Sequence, residues 1–202
     1  KDGATIRGIV FDGASEVADA IRIDDTVTGA PVVISGCTVR NYTNRFVYVS
    51  LSGKIESLTI DDCIFIGADN STTNKAIYAS SAHTQVETLS VTNSTFLNFN
   101  TGSNYFFRIN CGEELVLMPV VLIDHCTFYN CYDRRGVYLY NAGRSTIKNC
   151  ISAFSERRDD TKSFTAYGDE SIVKNVISYN VDLYGSAPKE NIISKNPLFV
   201  DA

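Results

Sequence analysis

The chain has 202 residues, 44% hydrophobic and 20% charged, with 18 Lys and Arg against 23 Asp and Glu. That is a globular composition with room for a core, which excludes a disordered or collagen-like chain, and no apolar run is long enough to span a membrane as a helix. A net charge of −5 argues against a general nucleic-acid partner, which would need a basic face. Eleven Tyr, eleven Phe and many Val, Ile and Thr, with few strong helix formers, point to β structure.

One pattern repeats from the first residues to the last. A short strand, a polar turn and a second short strand occupy residues 6–11, 34–39, 60–65, 91–96, 123–128, 147–152 and 173–178. The fourth position of each copy falls at 9, 37, 63, 94, 126, 150 and 176, a mean step of about 28 residues. A third strand follows at 20–24, 46–50, 76–80, 106–110, 136–140 and 163–167. Variable steps between strands of constant length are solenoid behaviour, with loops absorbing the differences. The dense leucines of a leucine-rich repeat are missing, and a β-sandwich would not hold one motif at this spacing seven times. The pattern predicts an all-β parallel solenoid of about seven coils of roughly 28 residues, a rod about 34 Å long at the spacing of paired strands.

Stacked coils line up equivalent residues. Cys37, Cys63, Cys126 and Cys150 share a column with Ile9, Ser94 and Val176, which reads as an inward ladder of small groups. The six cysteines form no CxxC pair, and His83 and His125 are the only histidines, so a metal site is not expected. The preceding column is Gly8, Gly36, Asp62, Asn93, His125, Asn149 and Asn175, residue types that tolerate left-handed turns. Val47, Val49, Ile77, Ala79, Phe107, Ile109, Val137 and Leu139 read as the core face of the third strand. Phe11, Val39, Phe65, Phe96 and Phe128 read as the core column of the second.

Neighbours of inward residues point outward. One outward column is Arg22, Tyr48, Tyr78, Arg108, Tyr138 and Thr165; beside it run Asp24, Ser50, Ser80, Asn110, Tyr140 and Tyr167. Flat phenol rings can stack on sugar rings while amide and guanidinium groups bond to hydroxyls. Arg22, Tyr48, Tyr78, Asn110, Tyr138, Tyr140 and Tyr167 are therefore the candidate carbohydrate-binding set, forming an exposed stripe suited to an extended polysaccharide or oligosaccharide. Residues 111–119 are expected to overhang the Arg108 row, and 155–162 to form a solvated charged loop.

With its repeated hydrophobic-x-Asn/Asp-Cys/Asn-x-Phe coil and its closing Asn-Pro-Leu-Phe-Val-Asp at 196–201, the chain resembles the right-handed parallel β-helix proteins of the pectate lyase and chondroitinase B type. It looks closest to uncharacterised β-helix domains of bacterial polysaccharide-utilisation proteins. The resemblance implies a single-stranded right-handed parallel β-helix over residues 1–202 that acts outside the cytoplasm. The rod starts without an obvious cap, and solenoid ends need protection, so an adjacent upstream domain or further coils of a longer secreted protein is expected. The resemblance also implies how a lyase would work: a basic residue neutralises a uronate and another takes the neighbouring proton. Arg108, Arg135 and Lys75 are the candidates for those roles. No cofactor is expected for binding alone; calcium would serve a lyase, but no acidic trio stands on the same face. Three readings stay open: a glycan-binding domain, a lyase of uronic-acid polymers acting by β-elimination, and a structural or adhesive domain without catalysis.

Overall fold

The computed structural model describes residues 3–27, 29–50, 54–67, 74–81, 85–99, 105–111, 119–131, 134–140, 143–155, 157 and 161–199. The predicted overhang at 112–118, most of the charged run at 156–160, and His83 lie outside those residues.

Every described element is a strand. The first rung is Ala4–Arg7 (β1), Val10–Asp12 (β2) and Asp19–Ile23 (β3), with the short Thr26–Val27 (β4) after it. The second is Val32–Ser35 (β5), Thr38–Arg40 (β6) and Arg45–Val49 (β7). The third is Lys54–Asp61 (β8), Ile64–Ile66 (β9) and Lys75–Ser81 (β10). The fourth is Gln85–Thr92 (β11), Thr95–Leu97 (β12) and Phe107–Cys111 (β13). The fifth is Val120–Asp124 (β14), Thr127–Tyr129 (β15) and Val137–Tyr140 (β16), and the sixth Arg144–Lys148 (β17), Ile151–Ala153 (β18) and Lys162–Ala166 (β19). In the last, Ile172–Tyr179 (β20) runs through the turn as one long strand, followed by Asp182–Tyr184 (β21) and Lys189–Ile193 (β22).

Three parallel ladders result. One runs β1-β5-β8-β11-β14-β17-β20, a second β2-β6-β9-β12-β15-β18-β20, and a third β3-β7-β10-β13-β16-β19-β21. The chain is a parallel β-solenoid, and five of its rungs are flanked on both sides along all three ladders. No helix of the described residues is long and apolar enough to cross a membrane.

The turn between the first two ladders is set by residue chemistry. Gly8, Gly36, Asp62, Asn93, His125, Asn149, Asn175 and Asn191 all have φ between 49° and 65°. That left-handed region disfavours most side chains, and Gly and Asn enter it most cheaply. The amides also bond along the column. Asn93 donates to Asp61 at 2.9 Å, Asn149 to Asp124 at 2.8 Å, Asn175 to Asn149 at 3.1 Å and Asn191 to Asn175 at 2.9 Å. His125 keeps the turn geometry but points its Nδ1 at Asp124, 2.8 Å away.

One residue later the chain turns inward. Cys37, Cys63, Cys126 and Cys150 are buried free thiols, as the column predicted, and Ile9 alone is exposed because it sits on the end rung. Burial pushes the Cys63 thiol up to about 11. Phe65, Phe96 and Phe128 stack with centroids 5.0 and 4.8 Å apart and planes within 8°. The predicted core residues of the third strand are all buried.

Strict alternation fails at the start of that strand. Phe46, Ala76 and Phe106 are fully or almost fully buried although they precede the inward Val47, Ile77 and Phe107. The chain is rounding a corner there, and both successive side chains reach the core: Phe46 packs on Phe65 and Phe99, Phe106 on Phe96 and Phe128. In the next rung Gly136 takes this corner with φ 59°, and a side chain there would collide with the Ser163 carbonyl oxygen. The corner leaves Arg45, Lys75, Tyr105, Arg135 and Lys162 outside it as a further outward column.

Candidate functional site

The outer face of the third ladder collects the candidate residues. Register pairs Arg22 with Tyr48, Tyr48 with Tyr78, Tyr78 with Arg108, Arg108 with Tyr138, and Tyr138 with Thr165. Asn110 pairs with Tyr140, and Tyr167 follows β19 beside Tyr140. All seven candidate carbohydrate-binding residues therefore stand on one face. Their exposure differs from the expected open stripe. Tyr48 and Tyr138 are only 8% and 5% exposed, although neither belongs to the core cluster. Cations from the corner column cover them: the Arg45 guanidinium lies 3.5 Å from the Tyr48 centroid and that of Arg135 4.8 Å from Tyr138. Arg22 and Tyr140 are exposed, while Tyr78, Arg108, Asn110 and Tyr167 are half-buried. The face is an interleaved layer of rings and cations rather than a row of free rings.

Arg108 is its centre. Its guanidinium carbon lies 4.3 Å from the Tyr105 ring, 5.9 Å from Tyr138 and 6.0 Å from Tyr78. Nη1 donates to the Tyr105 hydroxyl, while Nε is buried without a partner. Lys75, over the Tyr78 ring at 5.6 Å, and Arg135, over Tyr138, flank it one rung to either side. The three basic candidates thus come together, with Tyr105 between Lys75 and Arg135 in the corner column. Burial raises the Tyr105 phenol above its ordinary value, against the pull of Arg108, so it stays protonated at neutral pH.

Charge is distributed unevenly. Asp19 at one end grips Arg45 with two bonds of 2.8 Å. Asp24 takes 2.8 Å from Arg22, with Ser50 also bonding to it and lowering its carboxyl. Asp182 at the other end holds Lys162 at 3.5 Å. Among the described residues of the three middle rungs (β10, β13 and β16) no carboxylate stands on this face, where Lys75, Arg108 and Arg135 gather. A chain of net charge −5 has concentrated cations in one place. Such a surface attracts anions, and its ring-packed guanidinium groups are held in place before a ligand arrives.

The described residues of this face do not form a calcium site. Among the described residues no three His, Cys, Asp or Glu side chains come together, and Asp19 and Asp24 already pair with guanidinium groups.

Sequence reasoning missed Arg45, Tyr105 and Lys162, because strict alternation turns them inward once their neighbours Phe46 and Phe106 are read as outward. A signal existed: each lies two positions before a core residue, Val47, Phe107 or Phe164, as Lys75 and Arg135 lie before Ile77 and Val137.

This is a β-solenoid with one cation- and tyrosine-rich sheet face. A family profile described as a domain of unknown function (DUF4957) matches residues 1–99, just under half of the chain. The match ends after β12, so it takes in Arg22, Arg45, Tyr48, Lys75 and Tyr78 but not Arg108, Arg135, Tyr138, Tyr140 or Tyr167. No curated protein and no solved structure matches the chain.

Proposed function

We propose that the protein is a polysaccharide-interacting β-helix domain that works outside the cytoplasm and binds an extended acidic glycan along the outer face of its third ladder. The observation that carries this reading is the Arg108 centre: a guanidinium held among three tyrosine rings, flanked by Lys75 and Arg135, with no described carboxylate on this face of the three middle rungs. Rings supply stacking surface and the cations supply charge-assisted bonds to carboxylate or sulfate groups. Parallel rungs repeat these groups along the rod, which suits a polymer more than a small molecule. Retardation on gels cast with pectate, alginate or chondroitin sulfate tests it, with a neutral glucan gel as reference. Retardation by at least one acidic polymer, weakened by salt, is expected; migration unaltered by all of them would remove the reading.

A lyase is the second reading, favoured by the same trio. Arg108 would neutralise a uronate, and Lys75 or Arg135, in its unprotonated form, would take the C5 proton as the C4–C5 double bond forms and the glycosidic oxygen leaves C4 and is protonated. Release of an ultraviolet-absorbing unsaturated sugar from a uronate polymer would establish it. A structural or adhesive role becomes the account if neither binding nor cleavage is seen. The superfamily of pectate lyase-like β-helices is part of this proposal, as is an adjacent domain in a longer secreted protein. Ile9, Val10 and Val17 on the first rung are 45%, 63% and 49% exposed, which supports a neighbour there.

A further inference from the structure

The binding face has two chemically different halves. The first is the Arg108 centre, where every tyrosine is in contact with a cation. The second is built by Tyr138, Tyr140 and Tyr167. Tyr140 lies parallel to Tyr138, centroids 5.7 Å apart and planes within 7°. Tyr167 stands edge-on to both, at 5.7 Å and 89° from Tyr140 and 6.5 Å and 88° from Tyr138. Two buried or half-buried rings thus brace a third that remains 38% exposed. Among the described residues no cation lies over Tyr140 or Tyr167, whereas Tyr105 and Tyr184 each have one and Tyr48, Tyr78 and Tyr138 each have two.

The chemistry of the two halves is opposite. A bare phenol face carries the negative side of the ring quadrupole. It welcomes the C–H face of an uncharged sugar, or an acetamido methyl group, and repels a carboxylate held over it. The Arg108 centre does the reverse. Tyr140 pairs with Asn110, two residues along and one rung across from Arg108. That places the two backbone positions about 8 Å apart, from a rise of about 3.3 Å per residue and about 4.8 Å per strand. Successive sugars of one chain can reach both.

We infer that the ligand is a heteropolymer in which a charged sugar adjoins an uncharged one, the charged unit lying at Arg108 and the uncharged unit stacking on Tyr140. A polymer charged at every sugar satisfies the first half and is repelled by the second. This inference rests on the glycan-binding reading and narrows its substrate class.

Equilibrium binding of the whole chain to three probes separates the two claims: polygalacturonate, charged at every sugar; hyaluronan, charged at every second sugar; and a neutral glucan. Hyaluronan is expected to bind at least tenfold tighter per sugar than polygalacturonate. Tyr140→Ala should bring hyaluronan down to the polygalacturonate level, and Tyr140→Phe, which keeps the ring, should restore the preference. Equal affinity for the two acidic polymers, or an equal loss on both in Tyr140→Ala, overturns the inference and leaves acidic-glycan binding standing. No binding to any probe overturns both. Unchanged circular dichroism in the variants assigns a loss to the site and not to the fold.

Discussion

Truncating Phe96 to Ala tests the physical basis of the rod. Phe96 belongs to the fourth rung and is fully buried. Its ring stacks on Phe65 from the rung before at 5.0 Å and on Phe128 from the rung after at 4.8 Å, and it also meets Phe106 and Phe107 across the interior. Removing a buried Phe side chain costs about 3–5 kcal/mol. The two stacked pairs account for about 1–3 kcal/mol of that, at about 0.5–1.5 kcal/mol each. Against a total stability of about 10 kcal/mol this is about a third to a half. With a urea dependence of about 2 kcal/mol per molar, the midpoint should fall by about 1.5–2.5 M. Phe96→Leu keeps most of the apolar volume and should lose only the stacking share. Val10→Ala, on the end rung and 63% exposed, should stay within about 0.5 kcal/mol. Urea titrations followed by circular dichroism and by tyrosine fluorescence give the three values. A loss below about 1 kcal/mol at Phe96, or one no larger than at Val10, would refute a close-packed interior of stacked rings.

Three further outcomes follow from the turns, the thiols and the carboxylates. Asn175 has φ 53° and links Asn149 to Asn191, so Asn175→Ala should cost about 1–2 kcal/mol through the left-handed backbone, while Asn175→Gly costs less; thermal melts rank them. Cys37, Cys63, Cys126, Cys131 and Cys150 are buried, and burial pushes the Cys63 thiol up to about 11, so mass spectrometry after a thiol reagent at mildly alkaline pH should find these five unlabelled in the folded protein and labelled in urea. Bonds from Thr92 and Asn93 hold the Asp61 carboxyl below its ordinary value. For Asp124, burial pushes upward but is outweighed by Asn149, Lys148 and His125. A depressed carboxyl contributes stability above its unfolded value of about 3.9 and loses it as pH falls through the lower folded value. Urea midpoints should therefore drop below about pH 4, and Asp61→Asn should flatten that acid limb.

Much of the fold was legible because a solenoid writes its geometry into the sequence once per coil. The Gly/Asp/Asn column reads as a left-handed turn from any single copy, and its repetition fixes the step. The cysteine and phenylalanine columns follow from that step by counting. The corner before the third strand was not legible. Phe46 and Val47 both point inward, and period-two alternation cannot express a bend. That bend hid Arg45, Tyr105 and Lys162, and with them the reason Tyr48 and Tyr138 are covered. Sequence places tyrosines on an outward column; only the side-chain packing shows guanidinium groups lying across them. The C-terminal segment is a second case. Phe199 folds back onto Tyr129, at 5.2 Å and nearly perpendicular, a contact no periodicity predicts.

On the proposed reading the Arg108 centre recognises an acidic glycan. The most direct measurement is equilibrium binding of wild type and Arg108→Ala to whichever acidic polymer retards the protein, at low and at raised salt. Losing one charge-assisted contact of about 1.5–3 kcal/mol predicts an affinity at least tenfold weaker and a shallower salt dependence. Equal affinity of the two proteins for that polymer, with the fold intact in both, would contradict the account.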